Sequence, residues 1–177
     1  DPGVLRAVRQ AAPDLTLHAS TQMTVHSLDG VKACADLGFK RAVLSRELPA
    51  SEIEYICDRS PIEIEVFGHG ALCMCYSGQC YFSAVVGERS GNRGLCAQPC
   101  RMKYGWNGRA DSYPLSLKDA CMADRLRQLK KLGVSCLKLE GRMKRAEYVA
   151  VVTRIYSTLL KEDRMPTKEE MAALEAA

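Results

Sequence analysis

Four short apolar runs, at residues 15–19, 41–44, 62–67 and 134–139, alternate with stretches of helical periodicity. Through the first half of the chain the repeat is roughly 25 residues, the rhythm of strands joined by helices into a parallel α/β sheet or barrel. A closed eight-unit barrel takes about 250 residues. With 177 residues the chain is too short for one, so we expect part of a longer protein. On length alone it is one domain.

Local signals divide the chain further. Asp1-Pro2-Gly3 reads as a strand-end turn, followed by a helix over 4–11 with Val4, Leu5, Val8 and Ala11 on its apolar side. Ser27 is placed to cap a helix over 28–37, with Val31, Cys34, Ala35 and Leu37 inward and Gly38 ending it. Ser51 and Glu54 have capping-box spacing for a helix running through Cys57. Residues 102–109 suggest a hairpin or an irregular excursion. Ser116 and Asp119 predict a helix over 117–132, closed by Gly133. A helix over 145–161, with Val149, Val152, Tyr156 and Leu159 in one stripe, precedes a last helix capped by Thr167 and Glu170. Polar residues gather after each strand: His18 to Gln22, Ser45 to Glu47, His69, and Lys138 to Arg142. In barrels the carboxyl ends of the strands build the site. That makes Arg46, His69 and Glu140, with Glu65, the candidates for binding or acid–base work; the alternative for the charged ones is ion pairing around a barrel mouth.

The segment 65–101 holds five of the nine cysteines. Cys73 and Cys80 are separated by six residues, Cys80 and Cys96 by fifteen, Cys96 and Cys100 by three, and Cys75 is left over. Thiolates are soft ligands, and four of them on glycine-rich, irregular backbone suit zinc or an iron–sulfur cluster. Zinc sites usually pair ligands two to four residues apart, and the first pair here is wider. Spacing alone leaves Cys73 and Cys75 interchangeable. Cys34, Cys57 and Cys121 fall in expected helices and Cys136 in a strand, where a small buried hydrophobe is the ordinary role. Thiols used this way point to a reducing compartment rather than a disulfide scaffold.

The same segment resembles the signature of the U32 peptidase family, collagenase-like proteins with a branch that hydroxylates RNA bases. Glu65, Phe67, Gly70-Ala71-Leu72-Cys73, Gly78, Cys80 and Ser83 match its pattern. Asn92-Arg93-Gly94, Cys96-Ala97-Gln98-Pro99-Cys100-Arg101, Ser116-Leu117-Lys118-Asp119 and Leu139-Glu140-Gly141-Arg142 follow in the family's order. The resemblance implies a partial (β/α) TIM-barrel-like domain over residues 1–177, with a Cys-rich metal-binding insertion at 65–110 and final helices at 145–177. It implies a [4Fe-4S] cluster, with zinc as the alternative, and selects Cys73, Cys80, Cys96 and Cys100 as ligands. It also implies hydroxylation of a base in rRNA or tRNA, in the cytoplasm. The rival readings are a peptidase of unknown mechanism and a non-catalytic scaffold or redox sensor. No His-Glu-x-x-His or Gly-x-Ser-x-Gly motif supports a peptidase, and a Cys73–His69 pair would compete with ligation.

Charge is informative locally. The net charge of +4 says little, but from Arg89 to Arg109 the chain carries Arg89, Arg93, Arg101, Lys103 and Arg109 and no acid, with Tyr104 and Trp106 between them. Cations neutralise phosphates and aromatic faces stack on unpaired bases, so these arginines, Lys103 and Trp106 are the candidate RNA contacts. Lys138, Arg142, Lys144 and Arg145 form a second basic patch. The strand-end polar residues are expected to take the base or a small-molecule co-substrate. No apolar run approaches the ~20 residues of a membrane span.

Overall fold

The computed structural model describes the backbone of residues 1–177 and all side chains except those of residues 106 and 109–111. Helix α1 (Pro2–Ala11) opens the chain, and the Asp1 carboxylate accepts from the Gly3 and Val4 amides at 2.7 and 3.2 Å. Asp1-Pro2-Gly3 is therefore a helix start and not a strand-end turn, since proline costs nothing at a position whose amide has no helical partner. Strand β1 (His18–Ala19) runs through a 3-10 turn (Thr21–Met23) toward α2 (Leu28–Asp36). Ser27 caps α2 through the Gly30 amide, and Gly38 at φ +82° turns the chain into β2 (Arg41–Val43). Helix α3 (Ala50–Cys57) begins at Pro49, whose extended backbone (φ −72°, ψ 161°) starts it early. Ser51 lies inside that helix, so the expected Ser51–Glu54 capping box does not form.

Strand β3 (Glu63–Gly70) feeds a mostly irregular stretch containing α4 (Phe82–Gly87) and two 3-10 turns, Gly91–Arg93 and Pro99–Arg101. Strands β4 (Tyr104–Trp106) and β5 (Arg109–Ser112) then form an antiparallel hairpin. Its turn, Asn107-Gly108, has φ of 52° and 77°, the positive pair that this dipeptide accepts readily. The helix expected over 117–132 is only partly present. Ala120–Cys121 is a strand, β6, followed by a 3-10 turn (Ala123–Arg125) and α5 (Leu126–Lys131). The pairing of His69 with Cys121 and of Gly70 with Ala120 takes those residues out of the helix. Strand β7 (Cys136–Leu139), α6 (Ala146–Glu162) and α7 (Lys168–Ala176) complete the chain, and Thr167 and Glu170 form the expected capping box of α7.

The four parallel strands lie side by side in chain order, β1–β2–β3–β7, with β6 antiparallel at the end of β3. This is an α/β architecture whose sheet, among the described residues, is open. Alternation sorts its two faces. Ala42, Leu44, Ile64 and Val66 pack with Val31, Cys34 and Ile56 of α2 and α3 into one core. Arg41 on the other face pairs with Glu63 at 2.6 Å and Glu65 at 3.4 Å. A second core joins Leu137 and Leu139 to Tyr148, Val152, Ile155, Tyr156 and Leu159 of α6 and Leu174 of α7. Among the described residues no helix is long and apolar enough to cross a membrane.

A register shift between Phe67 and His69 is held from α6. The buried Tyr156 hydroxyl donates to the Gly68 carbonyl at 2.8 Å and accepts from the Met122 amide at 3.0 Å. His69 Nδ1 lies 3.1 Å away, and because the phenol proton is already committed, the imidazole is the donor there. Tyr156→Phe would leave the Met122 amide bonded to the Gly68 carbonyl at 2.9 Å but strand the buried His69 Nδ1, so stability measured by chemical denaturation should fall by about 1–3 kcal/mol. Burial also lowers the His69 pKa below its ordinary 6.5. The unfolded chain takes up this proton below about pH 6.5 and the folded chain resists it, so stability held above that pH is lost as pH falls toward the depressed folded value. Urea melts at pH 7 and pH 5 should show a shallower acid loss for His69→Gln than for the parent.

Candidate functional site

All four parallel strands send their carboxyl ends to one place. Thr21 and Gln22 follow β1, Arg46 follows β2, Cys73 follows β3 and Glu140 follows β7, and all five border a cavity with about 150 Å³ of open space. Cys80, Cys96 and Cys100 border it too, so the four cysteines selected in the sequence meet at one cavity. Cys75 does not border it and lies instead beside Cys80. All nine cysteines are free thiols.

Short polar contacts shape these loops. The Ser77 amide donates to Glu47 at 2.6 Å, and the Arg46 amide donates back to the Ser77 hydroxyl at 3.2 Å, fastening the loop after β2 to the first cysteine loop. Ser83, buried on α4, accepts from the Ala97 amide at 2.9 Å and ties that helix to the Cys96–Cys100 turn. Gln98 adopts φ 55° there, and its amide approaches Cys96 Sγ at 3.3 Å. The Tyr104 hydroxyl donates to the Pro99 carbonyl at 2.9 Å, while Phe82 and Tyr104 stack with ring centroids 6.1 Å apart.

Three arginines surround the thiols. Arg46 reaches Cys73 Sγ at 3.6 Å, lies 3.9 Å from Glu140 and stacks 3.5 Å from the Phe67 ring centroid. Arg101 donates to Cys100 Sγ at 3.4 Å and to the Leu72 carbonyl at 2.7 Å. Arg142 binds the Gly94 and Cys96 carbonyls at 2.8 and 3.3 Å. Burial pushes the Cys73 thiol up, with Arg46 pulling the other way, and burial likewise raises Cys80. Among the described residues no three His, Cys, Asp or Glu side chains gather tightly enough to hold a single metal ion.

The other candidates separate. His69 does not border the cysteine cavity; it lies with Cys121, Tyr148, Asp119 and Lys144 along a different one. Glu65 is ion-paired to Arg41 on the sheet. Arg101 turns toward the thiols, whereas Arg89, Arg93 and Lys103 are exposed. The side chains of Trp106 and Arg109 lie outside the described residues. Sequence reasoning quoted Asn92 and Gln98 in the family's blocks without giving them a place at the cavity, and it passed over the exposed tyrosines of the cysteine lobe, Tyr76 at 73% and Tyr81 at 67% exposure. A polar residue flanking a cysteine carries no periodic signal, so only the fold identifies these positions.

The loop after β1 closes against Gly78. A Cβ there would sit 2.7 Å from the Thr21 carbonyl and 2.7 Å from Thr24 Oγ1, and its φ is +80°. Gly78→Ala should therefore cost about 1–3 kcal/mol in backbone strain alone, read as a lower melting temperature. Gly87→Ala, where an added Cβ meets nothing within 4 Å, is the matched control.

The whole chain, residues 1–177, matches the sequence profile of peptidase family U32. tRNA hydroxylation protein P1 of Bacillus subtilis is 36% identical over 172 residues, covering 90% of this chain and 41% of that protein. A 23S rRNA 5-hydroxycytidine synthase of Escherichia coli is 42% identical over 154 residues, covering 84% of this chain and 24% of that protein. A protein named collagenase from Porphyromonas gingivalis is 32% identical over 178 residues, covering 88% and 42%. The chain thus spans about two fifths or less of the length of these relatives. No solved structure matches it. With its full length matched and its cysteine and glycine blocks in the family's order, the chain belongs to peptidase family U32.

Proposed function

We propose that this chain is the cluster-holding part of a cytoplasmic protein that hydroxylates a base in tRNA or rRNA. One observation carries the proposal: Cys73, Cys80, Cys96 and Cys100 border one cavity at the carboxyl ends of four parallel strands, among Arg46, Arg101 and Arg142. That position is where (β/α) barrels build their sites, and the strand order β1–β2–β3–β7 suits an arc of such a barrel, with the cysteine lobe inserted after β3. Four thiolates concentrate negative charge, and guanidinium groups in a partly desolvated site offset it. A lone zinc ion would need its sulfurs roughly 3.8 Å apart, from Zn–S bonds near 2.3 Å. The four cysteines border a cavity with about 150 Å³ of open space, which we take to suit a larger group.

These four residues would hold a [4Fe-4S] cluster, which when bound would supply one-electron transfer. The chain's own residues do the rest. Arg46 and Arg101 hold positive charge against the Cys73 and Cys100 sulfurs. Arg142 fixes the loop carrying Cys96 through two carbonyls. Arg46 and Leu72 also border a neighbouring cavity of about 460 Å³, walled by Leu48, Ile53, Phe67 and Leu129, with room for a small co-substrate or the base. Outside, Arg93 and Lys103 are free to meet phosphates while Tyr76 and Tyr81 offer stacking faces. Peptidase chemistry finds no support in this geometry, because His69 is bound to Tyr156 and borders a different cavity from Cys73.

Protein purified without oxygen should carry about four irons per chain. Cys80→Ala, Cys96→Ala and Cys100→Ala should each lose them, and Cys34→Ala and Cys57→Ala should not. One equivalent of zinc and no iron would overturn the cluster assignment. Mass spectrometry of RNA from cells bearing the ligand variants should show the hydroxylated base missing; its persistence would leave a redox sensor as the better reading. Affinity for single-stranded RNA should fall with salt, and Arg93→Ala or Lys103→Ala should flatten that dependence by about 0.7 each in log–log slope. Arg101→Ala should instead reduce iron content, since Arg101 faces the thiols.

A further inference from the structure

Among the described residues two buried side-chain polar atoms have no hydrogen-bond partner, Thr21 Oγ1 and Arg46 Nε. Both residues border the cysteine cavity. Leaving such a group unpaired costs about 1–3 kcal/mol, and buried polar atoms are otherwise almost always satisfied. Two unpaired groups at one cavity call for a shared explanation. Arg46 Nε is a donor only, so its partner must be an acceptor. The Cys73 sulfur already lies against the same guanidinium at 3.6 Å. The occupant these atoms await is therefore rich in acceptors and negatively charged, which describes thiolate and sulfide sulfur.

We infer that the Thr21 hydroxyl donates a hydrogen bond to a sulfur of the cluster held by the four cysteines and so raises its reduction potential; this rests on the cluster assignment above. Backbone contacts fix the place of Thr21 at the cavity edge. The Ser20 hydroxyl accepts from the Gln22 amide at 3.3 Å, and the Thr24 amide donates to the Thr21 carbonyl at 3.0 Å with Thr24 at φ 54°. Gln22 Nε2 reaches across to the Gly91 carbonyl at 3.2 Å, beside Cys96. Gly78 of the first cysteine loop lies close enough that an added Cβ would meet the Thr21 carbonyl at 2.7 Å. The turn is thus set against both cysteine loops, and Thr21 is 9% exposed. An added electron makes the cluster sulfurs more negative, so a donor aimed at them stabilises the reduced form more than the oxidised one.

Thr21→Val keeps the shape and removes the donor; Thr21→Ser keeps the donor. The test is a potentiometric titration of the anaerobically purified, iron-loaded intact protein, followed by visible absorbance and electron paramagnetic resonance. Thr21→Val should retain its iron yet titrate at lower potential, by up to about 59 mV, a tenfold change in the reduced-to-oxidised ratio of a one-electron couple. Thr21→Ser should return toward the parent value. An unchanged midpoint in Thr21→Val at full iron content overturns the inference while the cluster assignment stands. A parent protein that takes up no iron removes the cluster assignment and this inference with it. If Thr21→Val does not load, Thr21→Ala gives the same comparison without added bulk.

Discussion

The backbone pairing of β3 is the constraint on which the rest of this structure depends. It pairs with β2 along its first half, with β7 on the opposite edge and with β6 at its end. Its last residue, Gly70, has φ +119°, and a side chain there would run into the Glu140 carbonyl at the end of β7. That close approach brings the ends of β3 and β7 together just where the chain leaves for Cys73. The register shift beside Gly68, braced by the Tyr156 hydroxyl, sets the direction in which it leaves. The geometry of the cysteine loops is inherited from a strand, not generated by the loops themselves.

Those loops leave most of their large apolar side chains exposed, and they are held by polar contacts to the sheet's carboxyl end and to one another. Glu47 accepts from the Ser77 amide, Ser83 accepts from the Ala97 amide, and Gln22 donates to the Gly91 carbonyl. Each is worth about 1 kcal/mol net, so the lobe is organised by many small terms instead of a core. A bound group linking four points of the lobe would add cohesion that the contacts alone lack. The exposed face of the same lobe, with Tyr76, Tyr81 and Val85, has no cover within this chain.

Much of this was legible in the residues. Ser27 and Gly38 bound their helix as read, Thr167 and Glu170 form their capping box, and residues 102–109, read as a hairpin or an irregular excursion, turn at Asn107-Gly108 as part of a hairpin. These signals are local: each is a side chain meeting a backbone group within four residues, or a dipeptide that accepts positive φ. The failures are equally physical. Ser116 and Asp119 had capping spacing, but Ala120 and Cys121 gain more from pairing with β3 than from helical bonds. Ser51 and Glu54 had the right spacing too, and Pro49 began the helix before them.

The sequence by itself determined the α/β alternation and marked the cysteine-rich segment, because periodicity, caps and residue spacing are properties of short segments. It also singled out the polar residues after each strand. Only the tertiary structure decided which of them meet. Arg101 left the basic surface for the Cys100 sulfur, and His69 left the cysteine segment for the Tyr156 hydroxyl. Thr21, some fifty residues before Cys73 in the chain, came to border the same cavity. Parallel strands place their carboxyl ends side by side whatever the length of the crossovers between them, so proximity at this site is set by sheet register and carries no trace in local sequence.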